Sequence, residues 1–215
     1  MGSEVSVRRA EPAEARTVAQ VFAAAAADEA VSAWVMDGHP DVAESFREQY
    51  MPDMIARALS EDEIWVAGAG DDIWTVSVWQ TVTSPDRARQ EAQQSRELFD
   101  AMPRRPFRRM AAVTAAIAEH HPQRFPHRYL QAIVTLPGHR GSGAGGALLA
   151  DRIRAATEAG VPAYLEASTE RSARLYARHG FERTGDPIPL PENGPILIPM
   201  WFPGRSRDLR SAGAP

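Results

Sequence analysis

The sequence predicts a mixed α/β (α+β) fold, in which strands and helices alternate along the chain. Two apolar and aromatic runs, at residues 64–67 and 73–79, flank a cluster of Gly and Asp, which is typical of an antiparallel hairpin. A β-favouring run at residues 129–135 leads into a glycine loop and then into a helix-forming stretch. The chain has 215 residues and 44% apolar content, so we expect one domain with a substantial core at residues 4–203.

The first half of the chain predicts one strand, two helices and the hairpin. Residues 4–9 alternate as a short strand, and residues 13–27 are rich in strong helix formers after Pro12. A second helix is expected at residues 41–59, kinked or split by Pro52. Residues 84–127 form a long polar insertion with helical stretches that four prolines break.

The second half predicts alternating strands and helices up to a terminal tail. Gly160 and Gly180 each follow a helical stretch, where glycine commonly ends a helix. The predicted elements are a strand at 129–135, a loop at 137–146, a helix at 147–159, a strand at 161–167, a helix at 169–178, and strands at 181–185 and 196–202. Residues 204–215 carry few apolar side chains and predict a flexible tail.

Composition excludes several kinds of chemistry. The sequence contains no cysteine, and all 24 basic residues are arginine. The lack of cysteine excludes disulfides, thiolate metal sites and cysteine nucleophiles. The lack of lysine excludes Schiff bases and lysine general bases. No apolar run reaches the roughly 18 residues of a membrane span, and no secretory signal is recognisable, so we expect a cytoplasmic protein without a membrane partner. The pair His120 and His121 lacks the spacing of metal ligands on one helix face, and we assign no metal.

The glycine loop predicts an anion site. The sequence from His139 to Leu149 reads HRGSGAGGALL, so a strand feeds a glycine-rich turn and then a helix. Such a turn directs unpaired backbone N–H groups and the positive end of the helix dipole to one point, which commonly binds phosphate. A nucleoside triphosphate loop would end in Lys and Ser or Thr, where Gly146 and Ala147 stand. The spacing of the glycines also differs from that of a dinucleotide fingerprint.

The loop and its neighbours resemble the GNAT superfamily of N-acetyltransferases. Arg140, Gly143 and Gly145 match its acyl-CoA pyrophosphate loop, and residues 129–137 and 164–168 are similar to its fourth and fifth strands. Residues 175–181, LYARHGF, resemble its helix-end signature of Tyr followed by Gly-Phe. Within the superfamily, short stretches at 78–81, 160–163 and 191–195 look most like the puromycin N-acetyltransferase group of actinobacteria.

This resemblance implies a GNAT fold and an acetyl-CoA site. The expected sheet is mixed, mostly antiparallel and of about six to seven strands, with a splay between strands four and five and helices on both faces. The pantetheine arm of acetyl-CoA (or CoA) would lie in the splay, and the pyrophosphate on the loop. Ser172 stands where many relatives have Asn. The implied cofactor residues are Ile133, Val134, Thr135, Arg140, Gly141, Ser142, Gly143, Ala144, Gly145 and Ser172.

Candidate catalytic residues follow from the same resemblance. Tyr176 is the candidate general acid, because a phenol can protonate the thiolate that leaves. Glu166 is the leading candidate for the base that takes the proton from the amine, although strand alternation leaves its direction open. Trp34, Trp79 and Phe107 are candidates for an aromatic substrate pocket, although each is more typical of a core position.

Three functions remain open at this point. The leading one is an acetyl-CoA-dependent N-acyltransferase that acts on a small-molecule amine, such as an antibiotic or another secondary metabolite, as a monomer or homodimer. The first alternative takes its donor from aminoacyl-tRNA, since residues 104–128 hold six arginines and three histidines against Glu119, and since Ser172 departs from the family pattern. The second alternative is a catalytically silent acyl-CoA-binding regulatory domain.

Overall fold

A computed structural model describes residues 4–204, and within this range the chain forms eight strands and eight α-helices. The strands are β1 (Ser6–Arg9), β2 (Glu63–Ala69), β3 (Asp72–Val82), β4 (His127–Thr135), β5 (Ala163–Ala167), β6 (Glu182–Arg183), β7 (Ile188–Pro189) and β8 (Ile196–Phe202). The helices are α1 (Ala15–Ala26), α2 (Ala30–Met36), α3 (Pro40–Ser45), α4 (Met51–Glu61), α5 (Asp86–Ala101), α6 (Arg105–His120), α7 (Ala144–Ala159) and α8 (Glu170–Arg178). The predicted tail lies outside the described residues, apart from Gly204.

The strands form one mixed sheet in the order β1-β2-β3-β4-β5-β8-β6, with β7 paired to β8. Every pairing is antiparallel except that of β4 with β5. The predicted mixed and mostly antiparallel sheet is confirmed, although it has eight strands in place of six to seven. The additional strand is β7, whose two residues are too few for alternation to show in the sequence.

Helices cover both faces of the sheet. Val18 of α1 and Ile55 of α4 pack with Val76 of β3 in one cluster of buried side chains. Leu149 of α7 and Tyr176 of α8 belong to a second cluster on the opposite face. Successive residues of a strand point to opposite faces, so the two clusters are separated by the sheet itself. No single helix among residues 4–204 has the length and apolar character of a membrane span, and one strongly bent pair, residues 12–26 with 30–36, meets that test only jointly.

The structure refines three helical predictions. The helix after the glycine loop begins at Ala144, three residues before its predicted start, because Gly145 and Gly146 form its first turn. The predicted helix 41–59 is divided into α3 and α4 by a π-helical turn at Phe46–Tyr50. Pro52 lies in the first turn of α4, where its missing N–H costs no hydrogen bond. The polar insertion folds into α5 and α6, which pack against each other.

Helix α2 was not predicted, and its start is set by an acidic cap. The Glu29 carboxylate accepts hydrogen bonds from the N–H groups of Val31 and Ser32, both at 3.0 Å. Such a cap satisfies donors that have no partner inside the helix. The sequence signal was Asp-Glu before a short apolar stretch, which is weak for a helix of seven residues.

The connection between β7 and β8 is clasped to α6 by arginines. The Glu192 carboxylate accepts from Arg105 at 3.2 Å and from Arg109 at 3.0 Å, and it lies 2.6 Å from Arg108. Arg109 is only 2% exposed and stacks its guanidinium over the Trp34 ring at 4.6 Å. A buried cation requires partners of this kind, so the clasp is built around Arg109.

Gly194 lies under the same tryptophan, and its lack of a side chain is required. A Cβ at this position would lie 2.8 Å from Trp34 Cε2 and 2.9 Å from Leu190 Cβ. We therefore expect Gly194→Ala to lower the free energy of unfolding by about 1–3 kcal/mol. Gly138→Ala is the matched control, since nothing lies within 4 Å of its Cβ position. Denaturant midpoints measure both, and equal midpoints for the two variants would contradict the close packing.

Candidate active site

Strands β4 and β5 separate after two residue pairs. The pairs are Arg128 with Ala163 and Tyr129 with Tyr164, and the Arg128 N–H donates to the Pro162 carbonyl at 2.8 Å. Beyond Tyr129 no pairing with β5 continues along β4 in the described structure. The two strands therefore enclose a split, lined on one side by the backbone of β4.

The backbone groups that face the split follow from the register with β3. The Leu136 N–H donates to the Trp74 carbonyl at 2.8 Å, and groups in an antiparallel strand alternate in direction. The N–H and C=O groups of Ile133 and Thr135 therefore point away from β3. The Thr135 carbonyl agrees with this direction, since it accepts from Arg140 Nε at 3.2 Å. The edge of β4 thus offers hydrogen bonds to an extended chain in the split.

A β-bulge lies at the base of the split. Trp79 pairs with Leu130 and Val78 pairs with Ala132, which leaves Gln131 as an extra residue on β4. A bulge bends its strand and increases the local twist. The bend occurs directly after the last pair with β5, so the bulge accounts for the divergence of the two strands.

The glycine loop stands at the open end of the split, before the 16-residue helix α7. Gly141 and Gly143 have φ of +84° and +90°, a region that favours glycine. The first hydrogen bond within the helix runs from the Ala147 N–H to the Gly143 carbonyl at 2.8 Å. The amides of Gly145 and Gly146 precede that bond, so they are directed at the loop with the positive end of the helix.

Gly145 brings α7 close to β4. A Cβ on Gly145 would lie 3.2 Å from Thr135 Oγ1, and that hydroxyl is hydrogen-bonded to Thr75 Oγ1 at 2.9 Å. The side chain of Thr135 therefore packs against the first turn of α7, a contact that the sequence did not indicate. Ser142 and Ala144 close the loop itself: the Ser142 N–H donates to the His139 carbonyl at 3.2 Å, and the Ala144 N–H to Ser142 Oγ at 3.4 Å.

Arg140 ties the loop to the end of α1. Its guanidinium lies 2.5 and 2.7 Å from the Asp28 carboxylate oxygens and donates to the Ala25 carbonyl at 3.3 Å. This contact lowers the pKa of Asp28. The structure thus gives Arg140 a positioning contact, with its charge shared with Asp28.

Tyr176 is buried on α8, where its ring packs edge-on against Phe181. Thr169 and Ser172 cap this helix reciprocally, with the Ser172 N–H donating to Thr169 Oγ1 at 3.1 Å and the Thr169 N–H donating to Ser172 Oγ at 3.2 Å. The Ser172 hydroxyl is therefore engaged in the cap. Burial raises the pKa of Tyr176, and the negative charge of Glu29 raises it further, which keeps the phenol protonated.

Glu29 is a candidate that the sequence reasoning missed. It lies between α1 and α2, and its carboxylate is close enough to Tyr176 to affect the phenol. Only one of its oxygens, Oε2, accepts from the two α2 amides. The signal available in the sequence was the acidic cap position before α2.

Glu166 lies on β5 with its carboxylate between two phenols. Tyr129 donates its hydroxyl to Glu166 Oε2 at 2.8 Å, whereas Oε1 is buried without a hydrogen-bond partner. Burial raises the pKa of Glu166 to about 7, although the hydroxyls of Tyr129 and Tyr164 oppose this effect. A carboxylate with this pKa can exchange a proton near neutral pH.

Two buried histidines adjoin these phenols. His127 Nδ1 lies 2.8 Å from the Arg124 carbonyl, which can only accept, so this nitrogen carries the hydrogen in the neutral ring. His127 Nε2 then accepts from His121 Nε2 at 3.0 Å, and His121 Nδ1 is left buried without a partner. Burial, with a smaller effect of His127, lowers the pKa of His121 to about 4. Among residues 4–204 no group of three or more potential metal ligands comes together.

A cavity of about 240 Å³ opens beside Tyr164, between the segment that follows α6 and the segment that follows β6. Trp201 and Pro199 form its floor on β8, and Arg124 stands over the Trp201 ring at 5.7 Å. Neither Trp34 nor Trp79 lines this cavity. The described aromatic side chains of the cavity are thus Tyr164 and Trp201.

The three predicted pocket aromatics occupy packed positions. Trp79 is 2% exposed, and its indole N–H donates to Ser77 Oγ at 3.1 Å. Trp34 packs between Arg109 and Gly194, and Phe107 is buried in α6. These positions fit the core interpretation that the sequence had left open for each of them.

Most arginines of the 104–128 patch are paired with acids from distant parts of the chain. Arg104 lies 2.8 Å from Asp41, and Arg128 lies 2.5 Å from Glu63. Arg105, Arg108 and Arg109 share Glu192. The local excess of positive charge in the sequence is thus largely neutralised in the fold.

Comparison with known proteins connects this geometry to a family. Residues 79–181 match the model of the acetyltransferase (GNAT) family. A solved structure described as "histone acetyltransferase HPA2 and related acetyltransferase", from Corynebacterium glutamicum, is 25% identical, with a TM-score of 0.70 over 95% of this chain and 99% of that chain.

Two further solved structures share the fold at lower identity. A polyamine N-acetyltransferase of Drosophila melanogaster is 15% identical, with a TM-score of 0.66 over 93% of this chain and 99% of that one. The PaiA N-acetyltransferase of Thermoplasma acidophilum, solved in complex with coenzyme A, is 11% identical, with a TM-score of 0.55 over 93% and 99%. The match extends over nearly the whole described chain in both cases.

The buried histidine pair predicts an acid-sensitive stability. The pKa of His121 falls from its ordinary 6.5 to about 4 on folding, so between these pH values the unfolded chain binds a proton that the folded chain resists. Lowering the pH from 6.5 to 4 should therefore reduce the free energy of unfolding by about 3 kcal/mol through this residue.

His121→Gln isolates this contribution, because an amide retains a donor for His127 and does not titrate. Denaturant unfolding at several pH values should show a shallower loss of stability for this variant than for the wild type. His120→Gln, which removes the neighbouring exposed ring, should retain the wild-type slope. Identical slopes for wild type and His121→Gln would contradict the burial of a neutral His121.

Proposed function

We propose that this protein is an acetyltransferase of the GNAT type that transfers an acetyl group from acetyl-CoA to the amine of a small molecule, because residues 79–181 match the model of that family and the described chain has its fold. The observation that carries the proposal is the split between β4 and β5. Its β4 edge offers the backbone groups of Ile133 and Thr135, and it ends at the glycine loop.

The residues present fit an acyl-CoA molecule. The split accepts an extended arm against the β4 edge, where the backbone of residues 133–135 would hold the pantetheine. Nothing lies within 4 Å of the Cβ positions of Gly141 and Gly143, so the loop amides are open to a diphosphate. Acetyl-CoA supplies the acetyl group as a thioester when it is bound. Arg140 would position the loop through Asp28, and Ser172 would act through the cap of α8.

Glu166 and Tyr176 would carry the two proton transfers of the reaction. An amine that arrives as ammonium must lose a proton before its nitrogen can attack, and the Glu166 carboxylate, with a pKa of about 7, is suited to take it directly or through water. The departing thiolate needs a proton or a hydrogen bond, and the buried Tyr176 phenol remains protonated to supply it. Two groups with separated pKa values thus divide the acid and base roles.

The acceptor class is inferred from charge and from relatives. Glu29 and Glu166 place carboxylates near the split, which favours a cationic amine. Two proteins of the same fold are a polyamine and an agmatine N-acetyltransferase. We further propose an antibiotic or another secondary-metabolite amine, because three short stretches resemble the puromycin N-acetyltransferase group. The acceptor panel therefore comprises agmatine, spermidine, an arylalkylamine and puromycin.

The aminoacyl-tRNA and silent-domain alternatives are less well supported. The aminoacyl-tRNA alternative rested on the basic patch at residues 104–128. Five of the six arginines in this patch are paired with acids, which reduces the positive charge available to an RNA backbone. A catalytically silent domain would not require a buried carboxylate with a raised pKa at the split, and Glu166 is such a group.

Binding of acetyl-CoA tests the donor site. Calorimetry should show binding to the wild type and none to Gly143→Trp, because the bulky ring occupies the space in front of the α7 amides. Gly185→Trp is the matched control: Gly185 also has a left-handed φ, of +67°, and an open Cβ position, but it lines the cavity beside Tyr164 and is not part of the loop. The control should bind as the wild type does. Equal binding by both variants would exclude the loop as the pyrophosphate site.

Two substitutions test the catalytic roles. With an acceptor from the panel, Tyr176→Phe and Glu166→Gln should each lower kcat by roughly 10²–10⁴-fold while the Kd of acetyl-CoA stays within a few-fold of the wild type. Thiol release measures turnover. Tyr50→Phe is the control, since Tyr50 is exposed on the π-helical turn. Wild-type turnover by either active-site variant would remove that residue from its role.

A further inference from the structure

The two oxygens of the Glu166 carboxylate have different surroundings. Oε2 accepts the Tyr129 hydroxyl at 2.8 Å. Oε1 is inaccessible to solvent and has no hydrogen-bond partner. A buried carboxylate oxygen without a donor is costly, so this oxygen requires a partner close by.

The Tyr164 hydroxyl is the group that fits this requirement. It too is buried without a partner, and Tyr164 precedes Glu166 by two residues on β5, so the two side chains lie on the same face. Its hydroxyl is close enough to lower the pKa of Glu166. An unpaired donor thus adjoins an unpaired acceptor, and a hydrogen bond between them would satisfy both.

Both phenols are fixed in place by the sheet. Tyr129 and Tyr164 form the last pair before the split, and their rings stack with centroids 5.9 Å apart. His121 packs edge-on against both rings, at 5.1 and 5.3 Å. Burial raises the pKa of both tyrosines, so each hydroxyl remains protonated and can only donate to the carboxylate.

We propose that Tyr129 and Tyr164 are positioning residues that clamp the Glu166 carboxylate, with one hydroxyl donating to each oxygen. The clamp fixes the carboxylate at the base of the split and leaves a lone pair on its oxygens for the proton of the acceptor ammonium. When the amine is activated, an N–H bond breaks, an O–H bond forms on Glu166, and the electron pair stays on nitrogen. This inference rests on the proposed role of Glu166 as the base.

The clamp has a predictable effect on titration. Hydrogen bonds that are donated to a carboxylate favour its charged form, so loss of either hydroxyl should raise the pKa of Glu166. Other ionisable groups around this cluster lie on β4, on α5, at the end of α6 and in the segment that follows α6. They are His127, Glu91, His120, His121 and Arg124, and the charge of His120 lowers the pKa of Glu166. These groups are unchanged in the variants below.

The test is a direct titration of Glu166 that does not depend on an acceptor. In protein labelled with ¹³C-glutamate, the side-chain carboxyl signal that disappears in Glu166→Gln reports its protonation. Tyr129→Phe and Tyr164→Phe should each raise the midpoint by about one pH unit, and the double variant should raise it further. Tyr50→Phe should titrate as the wild type does. A wild-type midpoint in either phenylalanine variant would overturn that half of the clamp.

Kinetics separate this inference from the proposed function. Tyr129→Phe should lose several-fold in kcat/KM at pH 7 and recover most of it above pH 8.5, with the KM for acetyl-CoA unchanged. A loss at every pH would overturn the positioning role and indicate a structural one. Full activity of Glu166→Gln would refute the base and hence the function as proposed. Inactivity of Glu166→Gln together with wild-type titration in the tyrosine variants would refute the clamp alone.

Discussion

Strand β4 is paired along one edge with β3, whereas its other edge loses its partner beyond Tyr129. Unpaired backbone groups inside a fold are costly, so the split is stable only because a bulge and the flanking side chains impose it. The elements of the site are arranged along this line. The loop and α7 follow the end of β4, α8 packs against β5 and β8, and the paired phenols stand where the split begins.

Charge is distributed unevenly around the split. Arginines are held in ion pairs that connect separate parts of the chain, such as Arg140 with Asp28 and Arg109 with Glu192. The carboxylates of Glu29 and Glu166 instead have an oxygen without an ionic partner among the described residues. Several arginines therefore join separate segments of the chain, whereas these two carboxylates have no ion pair among the described residues.

The sequence predicted the second half of the site better than the first. The run from β4 through α7 follows local rules, since Gly141 and Gly143 adopt the backbone conformations that only glycine adopts readily. The direction of Glu166 was unreadable, because it depends on the register of β5 against β4 and β8. The pairing of the arginine patch was equally unreadable, since its acids come from positions such as Asp41, Glu63 and Glu192. Helix α2 was missed because its seven residues carry little periodicity.

The ion pairs of the described chain all use arginine as their cation, and the printed sequence has no lysine. A guanidinium stays protonated in proteins and is a poor nucleophile at neutral pH, whereas an ε-amine is a ready acceptor for an acetyl group. A lysine in the clasp or beside the loop would be a potential target of acetylation by the protein itself. With arginine at these positions, its structural charges are immune to self-modification, however long it is held with a concentrated acetyl donor.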